Sequence, residues 1–118
     1  MEPMTEPSPS PRARQAQQRL ARQLSELGFA LPGTLIERHM RCGKPACRCK
    51  ADPPILHGPY LQWTRKVGNK TVTRLLTPEQ RDRYQSWFDN SRKLKELVNA
   101  LEALSLQAIS DTEGWDFK

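Results

Sequence analysis

Three cysteines and one histidine lie within sixteen positions of this chain, at Cys42, Cys47, Cys49 and His57. The sequence holds three cysteines in all, and an odd number cannot pair completely in a disulfide framework. A structural Zn²⁺ site takes four donors in a tetrahedron, and three thiolates with one neutral imidazole supply a Cys₃His set. The sequence therefore predicts one zinc site with these four residues as ligands. Four protein donors close the coordination sphere, so we expect a structural metal rather than a catalytic one.

The spacing of these donors leaves the fourth ligand open. The pattern C-x4-C-x-C-x7-H differs from the paired C-x2-C units of common zinc ribbons. Gly43 and Pro45 suit a tight turn between the first two cysteines, because glycine accepts positive φ and proline fixes φ near −65°. His39, three residues before Cys42, is the alternative fourth ligand. Strand alternation is expected to direct it away from the cysteine loop, so His57 ranks first.

Two other uses of the thiols are weaker. Nearby cations would lower thiolate pKa values and favour redox chemistry, but no C-x-x-C of the thioredoxin kind is present. A secreted disulfide protein is disfavoured as well, because no apolar segment with a cleavage site precedes the cysteines. We therefore expect a cytoplasmic protein that is not a membrane protein, and no catalytic constellation is recognised.

Composition and periodicity divide the chain into five segments. The predicted segments are a disordered proline-rich tail (1–11), an N-terminal helix (12–28), a zinc-knuckle and β-hairpin module (33–77), a C-terminal amphipathic helix (78–110) and a tail (111–118). The N-terminal helix carries apolar residues three or four apart: Ala13, Ala16, Leu20, Leu24 and Leu27. The predicted fold is α+β: a small three-stranded antiparallel sheet with a zinc knuckle, flanked by the N-terminal helix and a long C-terminal helix.

The hairpin is the clearest strand signal. Two β-rich runs, 60–66 and 70–77, flank Gly68-Asn69, which predicts a type II′ turn with glycine at the first central position. A shorter strand is expected over 34–40. The turn sets a register in which one face carries three cross-strand pairs: Trp63 with Arg74, Leu61 with Leu76, and Arg65 with Val72. The opposite face is mostly polar.

The C-terminal helix has a start signal and an apolar seam. Thr77 is the predicted N-cap, with Pro78 at the first helical position and Gln80 completing a capping box. Apolar residues then recur at steps that sum to heptads, as in a short coiled coil: Trp87, Leu94, Leu97, Leu101, Leu104 and Ala108, with Asn90 at one seam position. This seam either packs on the N-terminal helix of the same chain or pairs with a second copy or a partner protein.

Charge is concentrated in the middle of the chain. Residues 38–74 carry nine basic side chains against one acid, a net +8, whereas the remainder carries ten basic and twelve acidic residues, a net −2. Such segregation predicts contact with nucleic-acid phosphates, DNA or RNA. No recognition helix is apparent, so sequence specificity is not expected. The predicted nucleic-acid-binding residues are the cations Arg38, Arg41, Lys44, Arg48, Lys50, Arg65, Lys66, Lys70 and Arg74, with Tyr60 and Trp63 as aromatic groups that stack on bases.

The same stretch resembles an uncharacterised prokaryotic and phage family, a domain of unknown function. Its members share Gly-[Ser/Thr]-Leu-[Ile/Val]-Glu-Arg, then Arg-Cys-Gly-Lys-Pro-x-Cys-Arg-Cys and His-Gly-Pro-Tyr, before a hairpin and a leucine-rich helix. The matching segments here are Gly33–Arg38, Arg41–Cys49 and His57–Tyr60, and the resemblance runs from residue 33 to residue 108. It implies that the Cys/His motif acts as a unit and that the protein is associated with mobile elements. It implies no activity.

Two functions follow from these observations. The first is a small zinc-binding, basic nucleic-acid-binding accessory protein linked to a mobile element. The second is a protein-interaction adaptor that associates through its C-terminal helix, with structural zinc and no nucleic-acid role. A metal- or thiol-dependent enzyme is a third reading, and it would require a metal site that lacks its fourth protein ligand.

Overall fold

The computed structural model describes residues 8–116, which contain two α-helices and three β-strands. In chain order they are α1 (Pro11–Ser25), β1 (Thr34–Met40), β2 (His57–Val67), β3 (Lys70–Leu76) and α2 (Pro78–Glu113). The strands form one antiparallel sheet in the order β1-β2-β3. The predicted α+β class is therefore confirmed. The disorder predicted for 1–11 falls mostly on residues 1–7, which lie outside the described residues, as do the last two residues of the 111–118 tail.

The β2–β3 hairpin has the register that its turn dictates. Trp63 pairs with Arg74, and the pairing continues outward to Val67 and Lys70, which leaves a two-residue connection. Gly68 takes φ of 63° at the first central position of that connection, as a type II′ turn requires. The predicted pairing and turn are confirmed. The register could be predicted because a two-residue loop leaves the strands no freedom to slip.

The junction of β1 with β2 depends on a glycine. The β1–β2 pairing shifts between Arg38 and Met40, and Met40 pairs with His57. Gly58 lies opposite this irregularity with φ of 123°, a conformation that side chains other than hydrogen rarely allow. A Cβ atom at this position would lie 2.7 Å from the carbonyl oxygen of Arg38. Only glycine lets the start of β2 approach β1 this closely.

The chain divides into two compact units. The first, which we call the sheet unit, comprises Ala30–Asp89 and holds the sheet together with the first turns of α2. Its core is small: Leu61 and Phe88 are buried, and the rings of Trp63 and Phe88 meet edge to face at 5.7 Å. The indole Nε1 of Trp63 donates to the carbonyl oxygen of Pro32 at 2.8 Å. These contacts fix the face of the sheet that carries Leu61 and Trp63, the inner face, against α2.

The second unit, which we call the helical unit, joins Met1–Phe29 to Asn90–Lys118. The apolar stripe predicted for α1 is half-buried while its other residues are exposed, and one cavity of this unit is lined by Ala16 and Leu20 together with Leu104 of α2. The α2 seam thus packs on α1 within the chain. Asn90 donates its side-chain amide to the carbonyl oxygen of Phe29 at 2.8 Å.

The seam itself differs in detail from the sequence prediction. Leu97 is 3% exposed, and Ser91, which the heptad pattern omitted, is also buried. Leu94, which the pattern included, is 37% exposed. Since Ser91 and Leu97 lie on either side of Leu94 in the sequence, the buried side of α2 departs from the heptad seam at this point. Nothing in the described residues supports a coiled coil with a second chain.

Candidate metal centre

Strand pairing brings the two ends of the Cys/His motif together. β1 ends at Met40, and Cys42 follows two residues later, while His57 is the first residue of β2. Met40 pairs with His57 across the antiparallel ladder, and this pairing places Cys42 and His57 near each other at one end of the sheet. The sequence between them therefore forms a closed loop.

Local hydrogen bonds shape that loop around the other two cysteines. The N–H of Cys47 donates to the carbonyl oxygen of Lys44 at 3.2 Å, which closes a turn after the first cysteine. A single 3₁₀ turn, Arg48–Lys50, follows with Cys47 as its N-cap, and the N–H of Lys50 donates to the carbonyl oxygen of Cys47 at 2.9 Å. Gly43 is not among the positive-φ glycines, so this turn forms without the left-handed conformation that glycine allows.

The four donor atoms converge. The three sulfurs and one imidazole nitrogen all lie within 4.8 Å of one another. The sulfurs of Cys42 and Cys49 are 3.6 Å apart, and the sulfur of Cys47 is 3.0 Å from Nε2 of His57. A tetrahedral zinc with Zn–S of about 2.3 Å and Zn–N of about 2.0 Å has edges of roughly 3.8 Å and 3.5 Å. The cluster therefore has the size and donor set to hold a metal ion.

Cys49 is the interior member of the cluster. It is completely buried, and its sulfur accepts the backbone N–H of Cys42 at 3.3 Å. That hydrogen bond lowers the pKa of Cys49, assisted by the thiols of Cys42 and Cys47 and by the positive charge of Lys50, against an opposing effect of burial. This direction favours the thiolate form of Cys49, which is the form that binds metals.

Cys42 has the opposite tendency. The backbone N–H of Lys44 lowers its pKa, but burial and the neighbouring thiols of Cys47 and Cys49 outweigh that bond, and the pKa of Cys42 is raised overall. Two thiols this close resist ionising together, because each thiolate repels the next. A divalent cation between them removes that repulsion, so the arrangement favours a bound cation over a metal-free cluster of thiolates.

His57, rather than His39, completes the cluster. His39 is exposed near the end of β1 and does not belong to the group of converging donors. The sequence did not reveal the part played by Gly58, whose positive φ sets the course of the backbone directly after His57. The signal available for it was its place in the motif, between the histidine and Pro59.

The nine basic residues do not form one patch. Four of them surround the metal loop and are exposed, and the ammonium group of one, Lys50, donates to the carbonyl oxygen of Cys42. Register places Arg65 and Arg74 on the inner face with Trp63, whereas Arg38 and Lys66 lie on the opposite face with Tyr60. Lys70 lies at the hairpin end. The loop cations are Arg41, Lys44, Arg48 and Lys50.

The two predicted stacking aromatics have different environments. Trp63 packs on Phe88, donates its indole N–H to Pro32, and has the guanidinium carbon of Arg65 5.5 Å from its ring centroid. Tyr60 lies on the other face and is 36% exposed. Trp63 is thus engaged within the sheet unit, and Tyr60 is the aromatic ring that a ligand can reach.

Between residues 8 and 116, neither helix has a stretch that is both long and apolar enough to cross a membrane.

The fold and the site define a class: a small α+β protein whose sheet ends in a Cys₃His cluster that can bind a metal ion. The chain belongs to the family described as Domain of unknown function (DUF6788), whose family model matches residues 11–86. The match spans α1, the sheet, the cluster and the first turns of α2, and it confirms the expected membership of an uncharacterised family. No curated protein and no solved structure matches the chain.

Proposed function

We propose that this chain is a small zinc-binding, nucleic-acid-binding accessory protein in which a structural metal shapes a basic loop. One observation carries the proposal. The four converging donors, Cys42, Cys47, Cys49 and His57, lie in a loop whose cations are exposed. A metal held there would fix the loop backbone, and with it the positions of the cations that meet phosphates.

Zinc is the metal that suits these donors best. Three thiolates and an imidazole are soft or borderline ligands, and tetrahedral sites of this composition select zinc over the oxygen-preferring divalent ions. The four protein donors leave no open position, which argues for a structural role. The thin core adds support, since Leu61 and Phe88 are the buried apolar residues that the sheet unit offers apart from Cys49. A small core of this kind commonly needs a metal to hold it.

The cations are available to a polyanion. Within residues 8–116, none of the nine basic side chains of the 38–74 segment forms an ion pair with a carboxylate. Bound zinc would change the charge of the segment by only one unit, because three thiolates exceed Zn²⁺ by one negative charge. The segment would remain strongly positive, as a phosphate-binding surface requires.

A binding titration tests the nucleic-acid role. Protein purified without chelator is mixed with labelled single- and double-stranded DNA and RNA at two salt concentrations. If five cations contact phosphates, the plot of log affinity against log salt on duplex DNA has a slope of about −4.5. Binding that is absent, or that does not respond to salt, would contradict the proposal.

Two further parts of the proposal rest on the sequence. The link to mobile elements rests on the family resemblance alone. A cytoplasmic location is supported by the three free cysteines, since reducing compartments keep thiols unpaired and available to a metal.

A second candidate function, an adaptor that associates through α2, is favoured by one observation. Leu94 and Val98, one turn apart on α2, are 37% and 39% exposed. A double substitution Leu94→Lys, Val98→Lys tests it by light scattering. These positions are better suited than Leu97, which is buried, and Leu101, which is half-buried, because lysine at either of those sites would destabilise the helical unit. A wild-type monomer, or a mass unchanged by the substitutions, would rule out self-association through this face.

A further inference from the structure

One face of the sheet is left open. Cross-strand partners lie on the same side of a sheet, so the register assigns side chains to faces without ambiguity. Ile36, Gln62 and Leu75 form one row across all three strands, and Arg38 pairs with Tyr60 in the next row. We call this side the outer face and define it by Ile36, Arg38, Tyr60, Gln62, Lys66 and Leu75.

Apolar groups on the outer face are accessible to solvent. Leu75 is 58% exposed, Ile36 is 43% exposed and Tyr60 is 36% exposed, although all three lie within regular strands. Exposed apolar side chains gathered on one surface mark an interaction site more often than chance exposure does. The hydroxyls of Thr64 and Thr73 pair with each other at 3.2 Å on the same side, so the polar groups next to the apolar row are satisfied.

The two faces differ in what they have left to bind. The inner face is covered by the first turns of α2, where Trp63 meets Phe88. The outer face combines an accessible aromatic ring with two cations, Arg38 and Lys66, that have no acidic partner within the described chain. A platform of one aromatic ring, aliphatic side chains and cations complements a polyanion that also offers flat apolar rings.

The outer face is continuous with the metal loop. Tyr60 lies three residues after His57, and the carbonyl oxygen of its partner Arg38 is the atom that a Cβ on Gly58 would approach to 2.7 Å. The loop cations therefore begin where the outer face ends. A nucleic-acid backbone that crosses the sheet at Tyr60 would therefore reach the loop cations next.

We propose that the outer face binds single-stranded nucleic acid, with Tyr60 stacking on a base and Arg38 contacting the adjacent phosphate. This inference rests on the proposed nucleic-acid function and assigns it a surface and a class of substrate. A single strand suits this surface, because the faces of its bases are exposed and can stack on Tyr60, whereas in a duplex they are hidden. Trp63 has no direct part in this binding.

Matched variants of the full chain, purified with its metal, test the assignment. The probes are short mixed-sequence single-stranded DNA and RNA and the corresponding duplexes, followed by fluorescence anisotropy. Tyr60→Ala is compared with Tyr60→Phe, which keeps the ring. Arg38→Gln is compared with Arg74→Gln, which removes the same charge from the inner side of the same sheet. Circular dichroism of each variant establishes that it remains folded.

The expected result is a loss of single-strand affinity of about tenfold or more in Tyr60→Ala, with Tyr60→Phe close to wild type. Arg38→Gln weakens binding more than Arg74→Gln does. If Tyr60→Ala bound single strands as tightly as the wild type does, or if the wild type bound the duplex more tightly, the assignment to the outer face would be overturned. The broader nucleic-acid function would still stand. No binding of any probe by the wild-type chain would overturn both.

Discussion

His57 is the metal ligand that most needs a direct test, because the sequence offered His39 as an alternative in its place. We expect His57→Ala to lower zinc affinity by at least about 100-fold, since even outer-shell substitutions at metal sites cost 10- to 100-fold. Competition with a chromophoric chelator measures the change. His39→Ala is the matched control, because His39 is exposed and outside the cluster. A His57→Ala protein that kept full zinc affinity would contradict the closed site and revive the reading of the chain as a metal-dependent enzyme.

Gly58 allows a second test at the scale of one residue. Its φ of 123° and the 2.7 Å approach of a Cβ to the Arg38 carbonyl oxygen both oppose any larger side chain. Gly58→Ala should lower the free energy of unfolding by about 1–3 kcal/mol. Urea denaturation of the metal-loaded protein measures it. Gly43→Ala is the control, since nothing lies within 4 Å of that position. Equal stability of the two variants would show that the β1–β2 junction tolerates a side chain.

Among the elements, the start of α2 is the feature that the sequence predicted most fully. The N–H of Thr77 donates to Oε1 of Gln80 at 3.0 Å, and the N–H of Gln80 donates to Oγ1 of Thr77 at 3.1 Å. This is the capping box expected from four adjacent residues. The hairpin register was equally predictable, because a two-residue turn fixes it. Both features are local, so neighbours in sequence contain all the information they need.

Thr77→Ala should remove one half of this capping box. The backbone N–H of Gln80 would lose its side-chain acceptor, at a cost of about 1 kcal/mol in the free energy of unfolding. Ser86→Ala, at an exposed position inside α2, should be neutral or slightly stabilising because alanine is the better helix former. Thermal or urea unfolding followed by circular dichroism compares the two. A Thr77→Ala protein as stable as Ser86→Ala would mean that the cap does not stabilise the folded chain.

Packing between distant elements was less predictable. The sequence identified which residues of α1 are apolar, but the burial of Phe88 and Ser91 and the exposure of Leu94 depend on where neighbouring elements lie. The same holds for the division of the cations between sheet faces. Nine of the cations lie close together in the sequence, whereas strand alternation puts Arg74 and Arg38 on opposite faces of the sheet. Periodicity describes one element at a time and cannot say what covers it.

For the whole molecule, the metal is expected to support the sheet unit far more than the helical unit. Structural zinc sites contribute on the order of 10 kcal/mol of apparent binding free energy, comparable with the entire stability of a small domain. Chelation should therefore expose the backbone amides of residues 41–57 and of the adjoining strands to hydrogen exchange. Amides of residues 97–108 in the helical unit should keep their protection. Uniform loss of protection, or none, would contradict a metal that acts locally.

The zinc content of the Cys₃His cluster is measured by native mass spectrometry of the full chain, purified without chelator, with elemental analysis of the same sample. We expect one structural zinc per chain in the wild type and in His39→Ala, and its loss from Cys49→Ser. A wild-type chain that is folded and free of metal, or a Cys49→Ser chain that retains its zinc, would contradict this expectation.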